Sequence, residues 1–479
     1  MNSRLPVPVR SRPAWTLALT CVASFMVTLD ALVVVTALPA IRQALNATLD
    51  TLQWTVNAYT LAFAAGIISA AALGDRLGRR RVFAAGLALF ATASAACALS
   101  PSADVLISAR VVQGLAAAMV APIGLTILTS AFPAERRGAV IGIWGGVAGL
   151  AVASGPLVGG VLTQALSWHA IFWLNVPIGL AAAALAMLWL PESFGPRTRL
   201  DLPAVALVSG GAVGIVLGLV RASESGSSPE TVLSLGLGLV CMGGFVWWEL
   251  RAVEPMVPMR LFRNRAFTAA NITGFFMSGA QFAAAFLIAQ YFQLALGYSP
   301  LETGLRILPW TATPLVVAPL AGVLSDRIGW RPLMVTGMLL QAAGFVAFAL
   351  LAVGSSASYW QAMLALVIAG VGVSMVLPVA LAAILSAVAA PDMGRASAVN
   401  NTLQRFGTAF GVAVATAVFA ANGSLATASS FTAGLRPALA AVAGLSVLGA
   451  LSALAVGTRP AAIARDDDAP AEVEWSLAA

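Results

Sequence analysis

The sequence predicts an all-α integral membrane protein of about fourteen transmembrane helices, and three observations predict it. Of the 479 residues, 60% are hydrophobic and only 9% are charged, where a soluble domain carries about 25% charged residues. Apolar runs long enough to cross a bilayer as helices recur along the chain. Between them lie short loops that hold most of the arginines.

The runs are 15–38, 51–73, 82–99, 103–130, 138–164, 168–190, 203–221, 231–249, 267–296, 302–325, 333–353, 359–388, 396–421 and 435–457. An even number places both termini on one side. Assigning that side to the cytoplasm gathers about twenty of the 26 arginines there, as the positive-inside rule requires. The other face keeps mainly Arg42, Arg221, Arg306 and Arg436. Loop arginines therefore account for the net charge of +7 without nucleic acid as a partner. Every basic residue is Arg and none is Lys, which with the abundant Ala and Gly points to a GC-rich genome and a bacterial cytoplasmic membrane. Arg4, Arg10 and Arg12 precede the first run as in a signal peptide, but that run is too long for an h-region and reads as an uncleaved first span. Cys21, Cys97 and Cys241 have neither metal-ligand nor disulfide spacing and read as packing residues.

The chain repeats internally. Ala71-Ala-Leu-Gly-Asp75-Arg76-Leu-Gly78-Arg79 links spans two and three, and Gly322-Val-Leu-Ser-Asp326-Arg327-Ile-Gly329-Trp-Arg331 links spans ten and eleven. The two copies lie eight spans apart, so two spans are inserted between two six-span halves. This gives a cytoplasmic amino terminus (1–14), a six-helix bundle (15–190), two inserted helices (191–250), a cytoplasmic linker (251–266), a second six-helix bundle (267–457) and a cytoplasmic tail (458–479). The linker, with Pro255, Pro258, Arg260, Arg263 and Arg265, reads as amphipathic and interfacial. The tail, with Asp466 to Asp468, Glu472 and Glu474, has the composition of a disordered segment. Repeats of this kind are common in secondary transporters, with the substrate site between them.

Asp30 is the carboxylate inside the first span. A charge near the bilayer centre costs roughly 3 kcal/mol or more, so it marks function, and a proton-exchanging role fits best. Arg110 lies at similar depth in span four and is its expected partner. Span five carries Gly149, Gly155-Pro156 and Gly159-Gly160, which favour a kink and close helix approach. In the two repeated loops, Gly78 and Gly329 suit sharp turns. Asp75 and Asp326 are expected near the start of the following helix, where an anion is favoured. Arg76, Arg79, Arg327 and Arg331 are available there for carboxylates or lipid phosphates.

Asn271, Phe275, Ser278, Phe282 and Phe286 fall on one helical face of span nine, with Gln281 beside it. That face suits a large, partly polar ligand, or equally helix packing. Asn400, Asn401, Gln404 and Arg405 of span thirteen extend the polar surface, Arg405 either there or snorkelling to the headgroups. Trp54, Asn57 and Tyr59 serve either an interfacial belt or the cavity. Gln113 is assigned to the cavity wall. His169, the lone histidine, reads as structural. No phosphate-cradling Gly-x-x-x-x-Gly-Lys-Ser/Thr, no His-Glu-x-x-His and no His/Cys metal cluster is present, so neither an ATP-driven pump nor a metalloenzyme is expected.

Together these residues resemble the major facilitator superfamily, and most of all its fourteen-span drug:proton antiporters of the EmrB/QacA type. Ala71–Arg81 resembles the family's loop between spans two and three, with Ala71 in place of the usual Gly, and Gly322–Arg331 resembles its second copy. Leu106-Ile-Ser-Ala-Arg110-Val-Val-Gln113-Gly114 resembles the span-four motif, whose Arg is linked to proton transfer. Gly149 through Gly155-Pro156-Leu-Val-Gly159-Gly160 resembles the antiporter motif of span five. Leu29-Asp30 with Ala37-Leu38-Pro39 resembles the span-one motif, without the usual Thr and Asn after the Asp. Trp168-His169-Ala170-Ile171-Phe172 and Asn175-Val-Pro177-Ile-Gly179 resemble the start of span six, with His169 and Ala170 where Arg and Trp are usual.

The match spans roughly residues 15 to 457. It implies a non-enzymatic, monomeric exporter in the lipid bilayer, with two bundles alternating access to a central cavity. Its implied cargo is a small hydrophobic or cationic drug-like molecule, and protons are its coupling ion, with no other cofactor. Uptake of a metabolite by proton symport, lipid export and a non-transporting membrane sensor remain as alternatives.

Overall fold

The computed structural model describes residues 13–194, 201–225, 228–252, 255, 257–351, 359–388 and 392–457. Arg4, Arg10, Arg12, the acidic tail and part of the linker lie outside the described residues. Among the described residues every regular element is helical, which satisfies most backbone donors and acceptors of a span within its own helix.

The first group of helices is α1 (Pro13–Leu45), α2 (Leu49–Leu77), α3 (Arg79–Ala98), α4 (Ala103–Ala131), α5 (Ala134–Ala165), α6 (His169–Trp173) and α7 (Asn175–Trp189). Then come α8 (Leu202–Ser225) and α9 (Pro229–Arg251). The last group is α10 (Arg265–Gln290), α11 (Pro300–Thr311), α12 (Thr313–Ile328), α13 (Trp330–Leu351), α14 (Tyr359–Ser386), α15 (Met393–Asn422) and α16 (Ala428–Ala453). Among the described residues, 12 helical stretches are long and apolar enough to span a membrane. The count is 13 if Thr51–Ile67 and Ser69–Leu77, which meet at 49°, form one span. α8 is a helix of 24 residues with an apolar stretch over Leu202–Gly218, and the fourteen expected segments are all helical where they are described. The pair α6 and α7 makes one span, as does the pair α11 and α12. In the second pair Pro309 and Pro314 flank the break and withhold backbone donors.

Side-chain caps fix the helix starts. Thr48, Ser102, Ser228, Asn264 and Thr427 accept from first-turn amides, and Ser299 with Glu302 forms a capping box. Gly78 turns between α2 and α3 at φ +105° and Gly329 turns between α12 and α13 at φ +84°, both in the region that favours glycine.

The repeated carboxylates sit otherwise than expected. Asp75 lies inside the last turn of α2, at the negative end of its dipole. Arg79 compensates, donating from Nε at 2.9 Å and pairing through Nη2 at 2.8 Å. Arg76 and Arg327 are exposed. Arg331 donates from Nε to the Val456 carbonyl at 2.8 Å. The side chain of Asp326 lies outside the described residues.

Packing sorts the helices. α1 lies on α5, α4 and α7, while α2 and α3 both lie on α4. α10 lies on α15, α16 and α14, and α13 lies on α14 and α16. α8 and α9 pack on each other, and α8 leans on α2 and α15. The loops at 46–48, 99–102, 166–168, 296–299 and 423–427 share an arginine-poor end.

The two groups meet through α2 and α15, where Ala398 packs on the core of the first group, and through α1, α5, α10 and α11 from mid-depth to the arginine-poor end. There Gln293 donates to the Thr36 carbonyl at 2.8 Å, the Leu301 amide donates to Gln164 at 3.1 Å, and the Thr311 hydroxyl donates to the Ala153 carbonyl at 3.1 Å. Gly160 lies against the Pro300 carbonyl and Gly304 against the Pro156 carbonyl, so closely that a Cβ at either would overlap it. Towards the arginine-rich end the contacts of α5 with α12 are looser, a Cβ at Gly149 facing Leu315 at 3.9 Å. A Cβ added at Gly145, Gly146 or Gly322 would meet nothing within 4 Å.

Gly160→Val or Gly304→Val is expected to push α5 from α11, overpacking costing about 1–3 kcal/mol. A cysteine replacing Gln164 should then be alkylated severalfold faster, while Gly145→Val leaves the rate unchanged. Equal rates in all three would contradict this packing.

Candidate functional site

Six helices of the first group, α1, α2, α3, α4, α6 and α7, contribute to the network around Asp30. Arg110 donates from Nη1 to Asp30 Oδ2 at 2.5 Å. On the other oxygen, Oδ1, Gln113 Nε2 donates at 2.9 Å and Asn175 Nδ2 at 2.8 Å. The same two amides each donate to Ser94 Oγ at 3.1 Å, and Ser94 donates to the Phe172 carbonyl at 3.0 Å. Arg110 is held further by the Thr55 carbonyl, 3.2 Å from Nε, and by Gln113 Oε1, 2.8 Å from Nη1. Its guanidinium lies 4.1 Å from the centroid of the Tyr59 ring, whose hydroxyl donates to the Val27 carbonyl at 3.2 Å.

Asp30, Ser94, Arg110, Gln113 and Asn175 are each at most 1% exposed. Burying such a pair is tolerable only when the remaining lone pairs and protons also find partners, and here both carboxylate oxygens do.

Local sequence explains the convergence. Gly114 lies so close to the Tyr59 carbonyl that a Cβ would overlap it, which lets α4 approach α2 and brings Arg110 to Thr55. Gly155 and Gly159 bring α5 onto α1 at Leu32, Val33 and Thr36, in the turns after Asp30. Asn175 is the first residue of α7, beyond the break at Leu174, and so faces back towards Asp30.

Asp30 and Arg110, matched by depth in the sequence, are thus in contact. Tyr59 and Gln113, assigned to the cavity wall, instead belong to the carboxylate network. Asn175 and Ser94 complete it without having been assigned. Asn175 offered one signal, an amide at the start of a span, and Ser94 offered none. His169 stacks on Trp168 with centroids 3.8 Å apart and meets Ser167 Oγ at 3.3 Å, so it serves the adjacent turn.

The expected cavity face divides. Phe286 is fully buried in the core, because α10 packs this turn among α1, α13 and α16. Asn271 is 1% exposed and donates to the Phe267 carbonyl at 2.9 Å. Phe275, Gln281 and Phe282 are half-buried. Ser278 donates to Gln404 at 3.4 Å, Gln404 donates to Asn400 at 3.2 Å, and Phe275 packs on Phe410. On α2, Asn57 is fully buried with neither amide atom partnered. Arg405 lies with its guanidinium 4.4 Å from the Phe63 centroid, across from α15 to α2.

Arg110→Ala would strand the buried carboxylate, at a cost of about 3–5 kcal/mol. Thermal unfolding in detergent should show a clear loss for this variant and for Asn175→Leu, and recovery of most of the first loss in Asp30→Asn/Arg110→Gln. Equal stability of Arg110→Ala and wild type would contradict the network.

Comparison with known proteins agrees with this architecture. The Major Facilitator Superfamily profile matches residues 20–309 and 270–477. The Tetracenomycin C resistance and export protein of Streptomyces glaucescens is 35% identical over 412 residues, covering 85% of this chain and 76% of that protein. The Methylenomycin A resistance protein of Streptomyces coelicolor is 32% identical over 441 residues, covering 91% and 90%. Among solved structures, a bacterial homolog of the human lysosomal transporter spinster has a TM-score of 0.68 at 16% identity, covering 95% of this chain and 98% of that one. The peptide transporter POT in complex with sulfate has a TM-score of 0.67 at 18% identity, covering 94% and 98%. On the match along both halves of the sequence, and on relatives of this identity and coverage, the chain belongs to the Major Facilitator Superfamily.

Proposed function

We propose that this protein is a secondary active exporter of small drug-like molecules, of the fourteen-span drug:proton antiporter type, working by alternating access. Relatives named as resistance and export proteins support the direction and the class of cargo. One observation carries the coupling: Asp30 is a carboxylate at 1% exposure that is held by side chains of its own helix group alone.

By the positive-inside rule the arginine-rich end faces the cytoplasm of a bacterial cell and the arginine-poor end faces outwards. The contacts between the two groups then close the outer end, which leaves the cytoplasmic side for access. Cargo enters from that side or from the inner leaflet.

A proton arriving from outside neutralises Asp30 and removes the charge that holds Arg110. The guanidinium keeps the Thr55 carbonyl, Gln113 and the Tyr59 ring as partners, so α4 is free to shift against α1. α5 carries α1 on Gly155 and Gly159 and carries α11 on Gly160. Movement of α1 is thereby passed to the contact between the two helix groups. The repeated loops, with Asp75–Arg79 in the first, act as gates at the cytoplasmic end. No group beyond the proton is required, and one chain contains the whole apparatus.

Inside-out vesicles acidified on the inside test this reading with a panel of anionic and cationic fluorescent dyes. Wild type is expected to load at least one dye and to discharge the gradient as it does so. Asp30→Asn should abolish both, and Arg110→Ala should reduce loading at least about tenfold, the loss of a charge-assisted contact. Undiminished proton-driven loading in both variants would overturn the assignment, and loading only under an outward substrate gradient with proton symport would reverse the direction.

A further inference from the structure

The position of Arg405 says more about the cargo. It lies twelve residues into α15 (Met393–Asn422), about 18 Å along the axis at 1.5 Å per residue, which is mid-membrane depth. It is partly buried, and its guanidinium rests on the Phe63 ring of α2 at 4.4 Å instead of reaching for either interface. Among the described residues no carboxylate lies within ion-pair distance of it. Asp30, the acid in the middle of α1, already accepts from Arg110, Gln113 and Asn175.

A cation on an aromatic face gains something from the ring quadrupole, but far less than an intramembrane charge costs without water or a counter-ion. The residues placed nearest to it on α15 and α10 are neutral. Asn401 and Gln404 lie on the neighbouring positions of α15, Gln404 fixed between Ser278 and Asn400, and the half-buried rings of Phe275 and Phe410 stand beside them. An unpaired guanidinium, flanking amides and aromatic faces together suit a flat organic molecule carrying one negative charge. The same site repels cations, since they would meet the guanidinium with no acid to offset it.

We propose that Arg405 is the anion-binding group of the cavity and that the cargo is a small aromatic anion, a carboxylate or a phenolate, and not a cationic drug. The proposal rests on the export reading but sets its cargo apart from the cationic drugs that the sequence resemblance allows.

The test is equilibrium binding by tryptophan quenching, on the full chain in nanodiscs of phosphatidylcholine, which keep anionic lipid out. The probes are 2-naphthoate, its methyl ester and ethidium. Wild type is expected to bind 2-naphthoate at least about tenfold more tightly than the ester, as befits one charge-assisted contact, and ethidium more weakly than either. Arg405→Gln should abolish the preference for the anion over the ester, and Arg405→Lys should keep part of it. Because Arg405→Gln still offers the ester a site, unchanged ester binding reports an intact fold.

A preference unchanged in Arg405→Gln, no binding of 2-naphthoate to wild type, or tighter binding of ethidium than of 2-naphthoate would each overturn the proposal. Binding requires no proton gradient, so these outcomes leave proton-driven export to stand or fall on the vesicle experiment.

Discussion

The structure depends on one interaction, the buried ion pair between Asp30 and Arg110. Neither charge is tolerable alone at that depth, and attraction between them offsets desolvation only if the other polar atoms are also satisfied. That condition explains the company they keep. Gln113 and Asn175 each spend both amide protons, one on Asp30 and one on Ser94. Ser94 passes its own proton to the Phe172 carbonyl. The network closes on itself, and α1, α3, α4 and α7 are held in register as a consequence.

On the proposed reading, the one acid in this closed network is the switch. Losing the charge on Asp30 removes the reason for Arg110 to stay, while the neutral partners of Arg110 remain in place. The small residues of α5 extend the effect beyond the first helix group. Gly155 and Gly159 press on α1 just past Asp30, and Gly160 presses on α11. Small-residue contacts of this kind depend on close backbone approach, so a shift of α1 cannot be absorbed by flexible side chains and reaches the neighbouring group directly.

Much of this was legible in the sequence. Apolar runs and arginine-bearing loops gave the helical membrane class, and counting rises from the loop ends placed Asp30 and Arg110 at one depth. The repeated Asp-Arg-x-Gly segments located both glycine turns, since only a left-handed position requires Gly there. What was not legible depended on side-chain direction. Periodicity put Phe286 on the face of Phe275 and Ser278, but α10 is covered on that turn, and the ring is core. Tyr59 and Gln113 looked like cavity residues because polar atoms in a span suggest a ligand, whereas their ligand is the protein itself. Asn175 needed the break at Leu174 to aim it, and a break between two helical stretches leaves little trace in composition. Arg405 could have snorkelled, and only the position of Phe63 on the adjoining α2 fixes it at mid-depth.

The central claim is that bound cargo and the proton on Asp30 favour opposite arrangements of the two helix groups. The most direct measurement is proton release from purified protein in detergent near neutral pH as anionic and cationic candidate drugs are added, comparing wild type with Asp30→Asn. The account predicts release from wild type with at least one ligand and none from the variant, although the variant still binds that ligand. Equal release from both proteins would contradict it and place the coupling proton on a different group.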